Sequence, residues 1–432
     1  MRAGLTGEAD WAADVQVRLD RRLNAPDGAP VVLALSGGGD SLALLLLAHA
    51  WGERHGRRIV ALTVDHGLQA QSAAWAEFAM IRARRLNVEH RTLLWVGEKP
   101  ARGLPAVARA ARHALLAEAA WNLGARVALL AHTADDVLEA AEMRRQGATT
   151  PTPLEWSPSP AWPEGRGVFL LRPLLEVRRA ALRAMLAELG ETWIEDPAND
   201  DQRFSRARAR RWLAEAPAAT PTIRDCPTAA RRVPVEAGLA GELRVSRREL
   251  IYGPAPARWL SAMILCASGG RRPPRGASVR RLVARLAAGD DFTATVAGAR
   301  IEARGDTVMA CREAGERARG AMPDAPLPVG VSVFDGRFLV TAGAAGFRIG
   351  PLGGRAKGLP RLEKSRLTAV PAGARGALPV VISPVETLSC PILAQDGSVS
   401  ARPLGLERLQ AALGAFEDEA ALWCVAKSPS GA

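Results

Sequence analysis

Cysteine is sparse and unpaired in this chain of 432 residues. The five, Cys226, Cys266, Cys311, Cys390 and Cys424, form no C-x-x-C pair. That spacing excludes a zinc knuckle or a cysteine-held iron–sulfur cluster and fits isolated, reduced thiols of a cytoplasmic protein. Lysine is rarer still: of 57 basic residues only Lys99, Lys357, Lys364 and Lys427 are not arginine. Long hydrophobic runs are missing too. The stretch from Leu42 to Trp51 is far shorter than the ~20 residues that span a bilayer, so no membrane association is expected. Glu8, Asp10 and Asp14 stand where a secretory signal would be apolar. Internal repeats and coiled-coil heptads are absent.

Apolar residues are plentiful, at 48%, and the length suggests two or three domains. The net charge of +12 favours a polyanionic partner, although a composition this rich in arginine and alanine accounts for part of it.

The most informative stretch is Val31-Val32-Leu33-Ala34-Leu35-Ser36-Gly37-Gly38-Gly39-Asp40-Ser41, followed by an apolar helix. Five consecutive apolar residues bounded by glycine predict a buried parallel strand. The glycines permit a tight turn and close backbone approach to a ligand. The free amides and positive dipole end of the next helix then make an anion site above the turn. No Gly-Lys-Ser/Thr follows, and the string is not G-x-G-x-x-G, so neither the Walker loop nor the dinucleotide fingerprint applies.

Periodicity predicts a lead-in helix over 10–23 and strands over 31–35, 58–64, 88–95 and 126–131. Helices are expected over 40–54, 70–86, 105–122 and 135–146. This alternation predicts an α/β fold: an open parallel sheet with helices on both faces, Rossmann-like. The proline-rich stretch 149–166 reads as a surface loop and a candidate lid, followed by a strand near 168–175 and a helix over 176–189. The α/β domain should occupy 1–215, with a linker over 216–235, a smaller mixed domain over 236–318 and a C-terminal module over 325–432. Short strands are expected at 331–334, 337–340 and 380–382.

Ligands of such sheets bind beyond the carboxyl ends of the strands. Three polar clusters fall there: Ser36 to Ser41, Asp65-His66-Gly67, and His132-Thr133-Ala134-Asp135-Asp136. Glu139 lies three and four residues after the two aspartates, on one helical face. Together these carboxylates suit a divalent cation, a cationic substrate or a base, or simply complement a helix N-terminus. His66 suits a nucleotide or a satisfied strand end. Arg109 and Arg112 are either solvated helix arginines or contacts for an anion. The arginine run from Arg203 to Arg211, near Phe204 and Trp212, suits nucleic-acid phosphates and base stacking, or forms a solvated charged face.

In order along the chain, Ser36-Gly37-Gly38-Gly39-Asp40-Ser41, Val64-Asp65-His66-Gly67-Leu68, Ala108-Arg109-Ala110-Ala111-Arg112, Ala131-His132-Thr133-Ala134-Asp135-Asp136, Arg172-Pro173-Leu174-Leu175 and Trp193 to Asn199 into Arg206 and Arg210 resemble the tRNA(Ile)-lysidine synthetases. These belong to the PP-loop ATP-pyrophosphatases. The resemblance is strong over 28–212, weaker over 240–315 and faint past 325. It implies a ligase that uses ATP and Mg²⁺ to adenylate the C2 oxygen of the wobble cytidine in an isoleucine tRNA with a CAU anticodon. The side-chain amine of free L-lysine then displaces AMP. By resemblance, Ser36, Gly37, Gly38, Gly39, Asp40 and Ser41 bind ATP, joined by Asp65, His66 and His132. Asp40, Asp136 and Glu139 are catalytic; Asp136 and Glu139 bind lysine; Asp40 and Asp136 bind the metal; Arg112, Arg206 and Arg210 bind tRNA.

The chain departs from the family pattern at Val137 and Ala140, where glutamine and threonine are usual, at Thr133 for a histidine, and at Gln69 for an arginine. The proline-rich loop replaces a glycine-rich segment. The rival PP-loop class, enzymes that thiolate tRNA bases, often relies on paired cysteines, which are missing here. Amidotransferase-linked synthetases would need a glutaminase domain. A degenerate tRNA-binding protein would be expected to have lost loop residues or Asp136.

Overall fold

The computed structural model describes residues 10–26, 28–97, 99–148, 150–196, 205–215, 234–315, 323–394 and 397–426. The expected linker up to residue 233 and the charged stretch 197–204 lie outside them. The chain forms two units: one comprises residues up to 228 with 416–428, the other 229–415 with the last four residues.

In the first unit the Val31–Leu35 run becomes strand β1 (Val31–Ala34), with all four residues buried. Its apolar neighbours are β2 (Ile59–Asp65) and β4 (Val127–Leu129), both parallel to it. With β3 (Glu89–Leu94), β5 (Trp156–Pro158) and β6 (Phe169–Leu171) they form a six-stranded sheet ordered β3-β2-β1-β4-β6-β5. Flanking helices are α1 (Asp10–Arg22), α2 (Gly39–His55), α3 (Ser72–Arg85), α4 (Leu104–Asn122), α5 (Ala134–Arg145), α6 (Arg179–Glu188) and α7 (Ser205–Glu215). The core includes Leu33, Leu35, Leu44, Leu45 and Trp51, essentially without exposure; burial of each such side chain stabilises by roughly 1.5–3 kcal/mol. Strand order reverses between β1 and β4. That reversal opens a crevice at their carboxyl ends, where this architecture places its ligand.

Two expectations fail in this unit. The proline-rich stretch is not an exposed lid: residues 156–158 add β5 antiparallel to β6, and Trp156 and Trp162 are buried. Their large apolar surface drives the packing, the Trp156 ring lying 4.9 Å from that of Phe169, and Pro158 is tolerated because the strand is an edge. The C-terminal module also does not run to the end of the chain. Residues 416–426 belong to the first unit, where Trp156 Nε1 donates to the Phe416 carbonyl at 2.8 Å. Glu419, in the helix Glu419–Ala426, pairs with Arg57 at 3.1 Å.

Among the described residues every strand pairing of the second unit is antiparallel. A five-stranded sheet runs from Val235 to Arg312 and is packed by the helices Pro256–Ser268 and Gly276–Ala287. Four- and three-stranded sheets follow, built around Phe338, Val340 and Val380. Among the described residues no helix is long and apolar enough to cross a membrane.

Candidate active site

The turn after β1 is held by its own side chains and by one distant strap. Ser41 Oγ donates to the Gly38 carbonyl at 2.9 Å and accepts the Ser36 amide at 3.2 Å. Gly37 has φ +85°, and a Cβ there would lie 2.6 Å from Ile194 Cδ1; both facts require glycine. The Ile194 amide donates to the Gly37 carbonyl at 3.0 Å. Trp193 lies over Gly39, where a Cβ would touch its indole at 3.4 Å. Helix α2 begins at Gly39, so its first amides cap the crevice with partial positive charge.

Across the switch point, Thr133 caps α5. Its amide and hydroxyl donate to Asp136 Oδ2 at 2.8 and 3.0 Å. Asp136 is thus both a helix-capping residue and a wall of the crevice. Burial alone would raise its pKa, but the Arg206 guanidinium, the Thr133 amide and Arg179 hold it below the usual carboxylate value. Asp135 turns away: it accepts from Arg178 Nη2 at 3.0 Å and from the Arg179 amide at 2.7 Å, pinning the start of α6. Val137 and Ala140, the two departures on this helix, are buried in the apolar interior.

Three arginines meet three carboxylates. Arg179 Nε donates to Asp40 Oδ2 at 2.9 Å, while its Nη atoms lie 3.4 Å from Glu139 and 3.7 Å from Asp136. Arg206 reaches Asp136 at 3.2 Å and Glu139 at 3.5 Å, and Arg210 reaches Glu139 at 2.9 Å. Glu139 is 1% exposed, and its Oε2 has no hydrogen-bond donor. Arg206 and Arg210, expected on a tRNA-facing surface, therefore direct their guanidinium groups at the site's carboxylates. Arg179 escaped the sequence reading because α6 carries it and only folding brings it to Asp40.

Two cavities meet at the turn. One, of about 420 Å³, mixes apolar side chains, Leu62, Val64, Trp75 and Leu116, with polar ones such as Thr63, His66 and Arg112. Burial, then Arg112, lowers the His66 pKa, so its imidazole is neutral at pH 7. The other, of about 560 Å³, is lined by Gly38, Gly39, Asp40, His132, Asp136 and Arg206, among others. Arg172 Nε donates to His132 Nδ1 at 3.2 Å. Burial and that neighbour push the His132 pKa well down, leaving a neutral ring with its proton on Nε2. Arg112 lines both cavities, whereas Asp65 lines neither and instead accepts the Gly67 amide at 2.7 Å, fixing the turn beside His66.

A glycine turn feeding a helix at the sheet's switch point, opposite capped carboxylates, defines a nucleotide-using domain of PP-loop type, and a family model described as PP-loop domain matches residues 12–216. The chain is 45% identical to the tRNA(Ile)-lysidine synthase of Caulobacter vibrioides, covering 94% of this chain and 98% of that one. It is 39% identical to the tRNA(Ile)-lysidine synthase of Hyphomonas neptunium, covering 69% and 84%. A solved U34-tRNA thiolase from Methanococcus maripaludis overlays on 48% of this chain and 73% of its own, at 14% identity and TM-score 0.40. The chain belongs to the tRNA(Ile)-lysidine synthase family.

Proposed function

We propose that this chain uses ATP to adenylate the wobble cytidine of an isoleucine tRNA with a CAU anticodon and joins it to the side-chain amine of free L-lysine. One observation carries the reading: the phosphate turn and Asp136 open on the same basin, with Glu139 buried directly behind it. An anion site beside a cation site is what a ligation of lysine through an adenylate requires, and this shared basin supports that reading. Kinship with the lysidine synthases favours this over base thiolation.

In the first step the cytidine C2 oxygen attacks the α-phosphorus and the bond to pyrophosphate breaks. The α2 amides and Arg179 face the charge that leaves. In the second step the lysine amine attacks C2, and AMP departs with the electron pair of the C2–O bond. Only the neutral amine attacks, so a proton must be removed. Asp136, held charged, keeps the cation in place, and the Glu139 oxygen that lacks a donor takes the proton. The neutral His132 and the Arg112 guanidinium border the nucleotide, and His66 borders the smaller cavity, where Leu62, Val64, Trp75 and Leu116 offer apolar surface to its base. Arg112, Arg206 and Arg210 line the basin where the tRNA would enter; Arg206 and Arg210 stay 40% and 34% exposed while paired with the carboxylates.

Among the described residues no cluster of three or more metal-ligating side chains occurs. Asp40 and Asp136, bridged by Arg179, nonetheless fit Mg²⁺, which takes one or two carboxylates and completes its shell with substrate phosphates and water. Bound there, the ion would neutralise the phosphates and favour departure of pyrophosphate. Asp40→Ala tests the assignment: ATP-dependent modification should be abolished while tRNA binding persists, and unchanged turnover would overturn the role of the turn.

A further inference from the structure

Glu139 is the more deeply buried of the two proposed lysine carboxylates, and it does not line the basin. Arg179, Arg206 and Arg210 all lie within 3.5 Å of its oxygens. A lysine ammonium can therefore reach Glu139 only after a guanidinium has moved. The three arginines are not equivalent. Arg206 and Arg210 come from α7, whereas Arg179 alone among them also grips the phosphate turn, through Asp40 at 2.9 Å. One planar group thus spans the anion site and the lysine site.

We infer that Arg179 is a positioning residue that makes lysine binding depend on ATP: nucleotide phosphates at the turn draw its guanidinium away from Glu139 and open that carboxylate to the lysine cation. The inference rests on the lysine and ATP roles proposed above. Charge balance favours it. In the structure three guanidinium groups offset Asp40, Asp136 and Glu139, so a cationic amino acid gains little by entering. A polyphosphate beside the turn, still a net anion with its Mg²⁺, competes for the same arginine and leaves Glu139 with one guanidinium fewer. A guanidinium is charged at any accessible pH, so Arg179 responds to phosphate. The long 3.4 Å contact to Glu139 against the 2.9 Å contact to Asp40 makes the Glu139 contact the weaker one to release. By linkage, lysine must tighten nucleotide binding by the same factor.

The test is calorimetric titration of L-lysine into the full chain, with and without a non-hydrolysable ATP analogue and Mg²⁺. Wild type should bind lysine at least tenfold more tightly with the analogue. Arg179→Gln should bind lysine with nearly the same affinity in both conditions. Arg179→Lys keeps the charge and guards against a folding artefact; one ammonium cannot span both sites, so it should also lose most of the ratio. Equal lysine affinity with and without analogue in wild type, or a wild-type ratio retained in both variants, would overturn the inference while leaving the lysine site standing. No lysine binding by folded wild type in either condition would overturn the lysine site itself and the inference with it.

Discussion

Glu139 and Glu419 are equally hidden carboxylates of the same unit, at 1% and 0% exposure, and their partners are arranged in opposite ways. Glu419 is satisfied: both oxygens accept from Arg57 Nη2 at 3.1 Å, and Oε2 also accepts the Ala25 amide at 3.1 Å. Glu155 repeats the pattern, its two oxygens taking three bonds from Arg21 and Arg22 between 2.7 and 2.9 Å. Glu139 shares three arginines with two other acids at mostly longer range, and one of its oxygens has no hydrogen bond at all. A buried charge is costly unless its hydrogen-bonding capacity is filled. Where it is filled, the pair serves the fold. Where capacity is left over beside a ligand basin, the cost is offset only when a ligand arrives.

The contrast can be broken experimentally, and the largest effect should fall on the satisfied pair. Arg57→Ala strands Glu419 and should lower unfolding free energy by about 3–5 kcal/mol, read by urea denaturation, with turnover per folded molecule unchanged. A loss of lysine affinity in that variant would erase the distinction. Glu139→Gln should do the reverse. Lysine-dependent turnover should fall on the order of 100-fold, or about 2.7 kcal/mol, with ATP binding and folding stability close to wild type.

His113 sharpens the comparison from a third side, being buried with no hydrogen bond at Nδ1 and lining neither of the two cavities. Burial first, then Arg109, Arg112 and Arg172, lower its pKa from 6.5 to about 3. Between those values the unfolded chain binds a proton that the folded chain refuses. Its contribution to stability is thus lost as pH falls below 6.5, by about 2 kcal/mol at pH 5. Urea unfolding at pH 7 and pH 5 should show His113→Leu losing that part of the pH dependence; an unchanged slope would remove His113 as its source. The smallest effect belongs to the exposed Arg348–Glu386 pair at 3.0 Å. Arg348→Ala should shift stability by no more than ~0.5 kcal/mol, and a larger loss would show that exposed pairs here are not interchangeable with solvent.

The parts legible in the sequence are those written locally. The β1 strand, its glycine turn and helix α2 are contiguous, and the polar clusters after β1, β2 and β4 are each adjacent to an apolar strand. Asp136 and Glu139 announce themselves by helical spacing. What remained hidden is long-range pairing. Arg179 is 139 residues from Asp40, and Glu419 is 362 from Arg57, so no spacing rule links either pair. The proline-rich stretch misled for a different reason. Its prolines signal a loop, yet Trp156 and Trp162 carry enough apolar surface to fold residues 156–158 onto the sheet edge. Asp135 and Asp136 are neighbours of like chemistry, and only the α6 contact shows that one anchors a helix while the other faces the basin.

The most direct measurement is transfer of labelled L-lysine to isoleucine tRNA with a CAU anticodon, in ATP and Mg²⁺, by wild type and by Glu139→Gln. Incorporation that vanishes without ATP and drops about a hundredfold in the variant is the predicted result. ATP-independent incorporation, or wild-type incorporation by Glu139→Gln, would contradict the claim that this under-satisfied carboxylate was built for lysine.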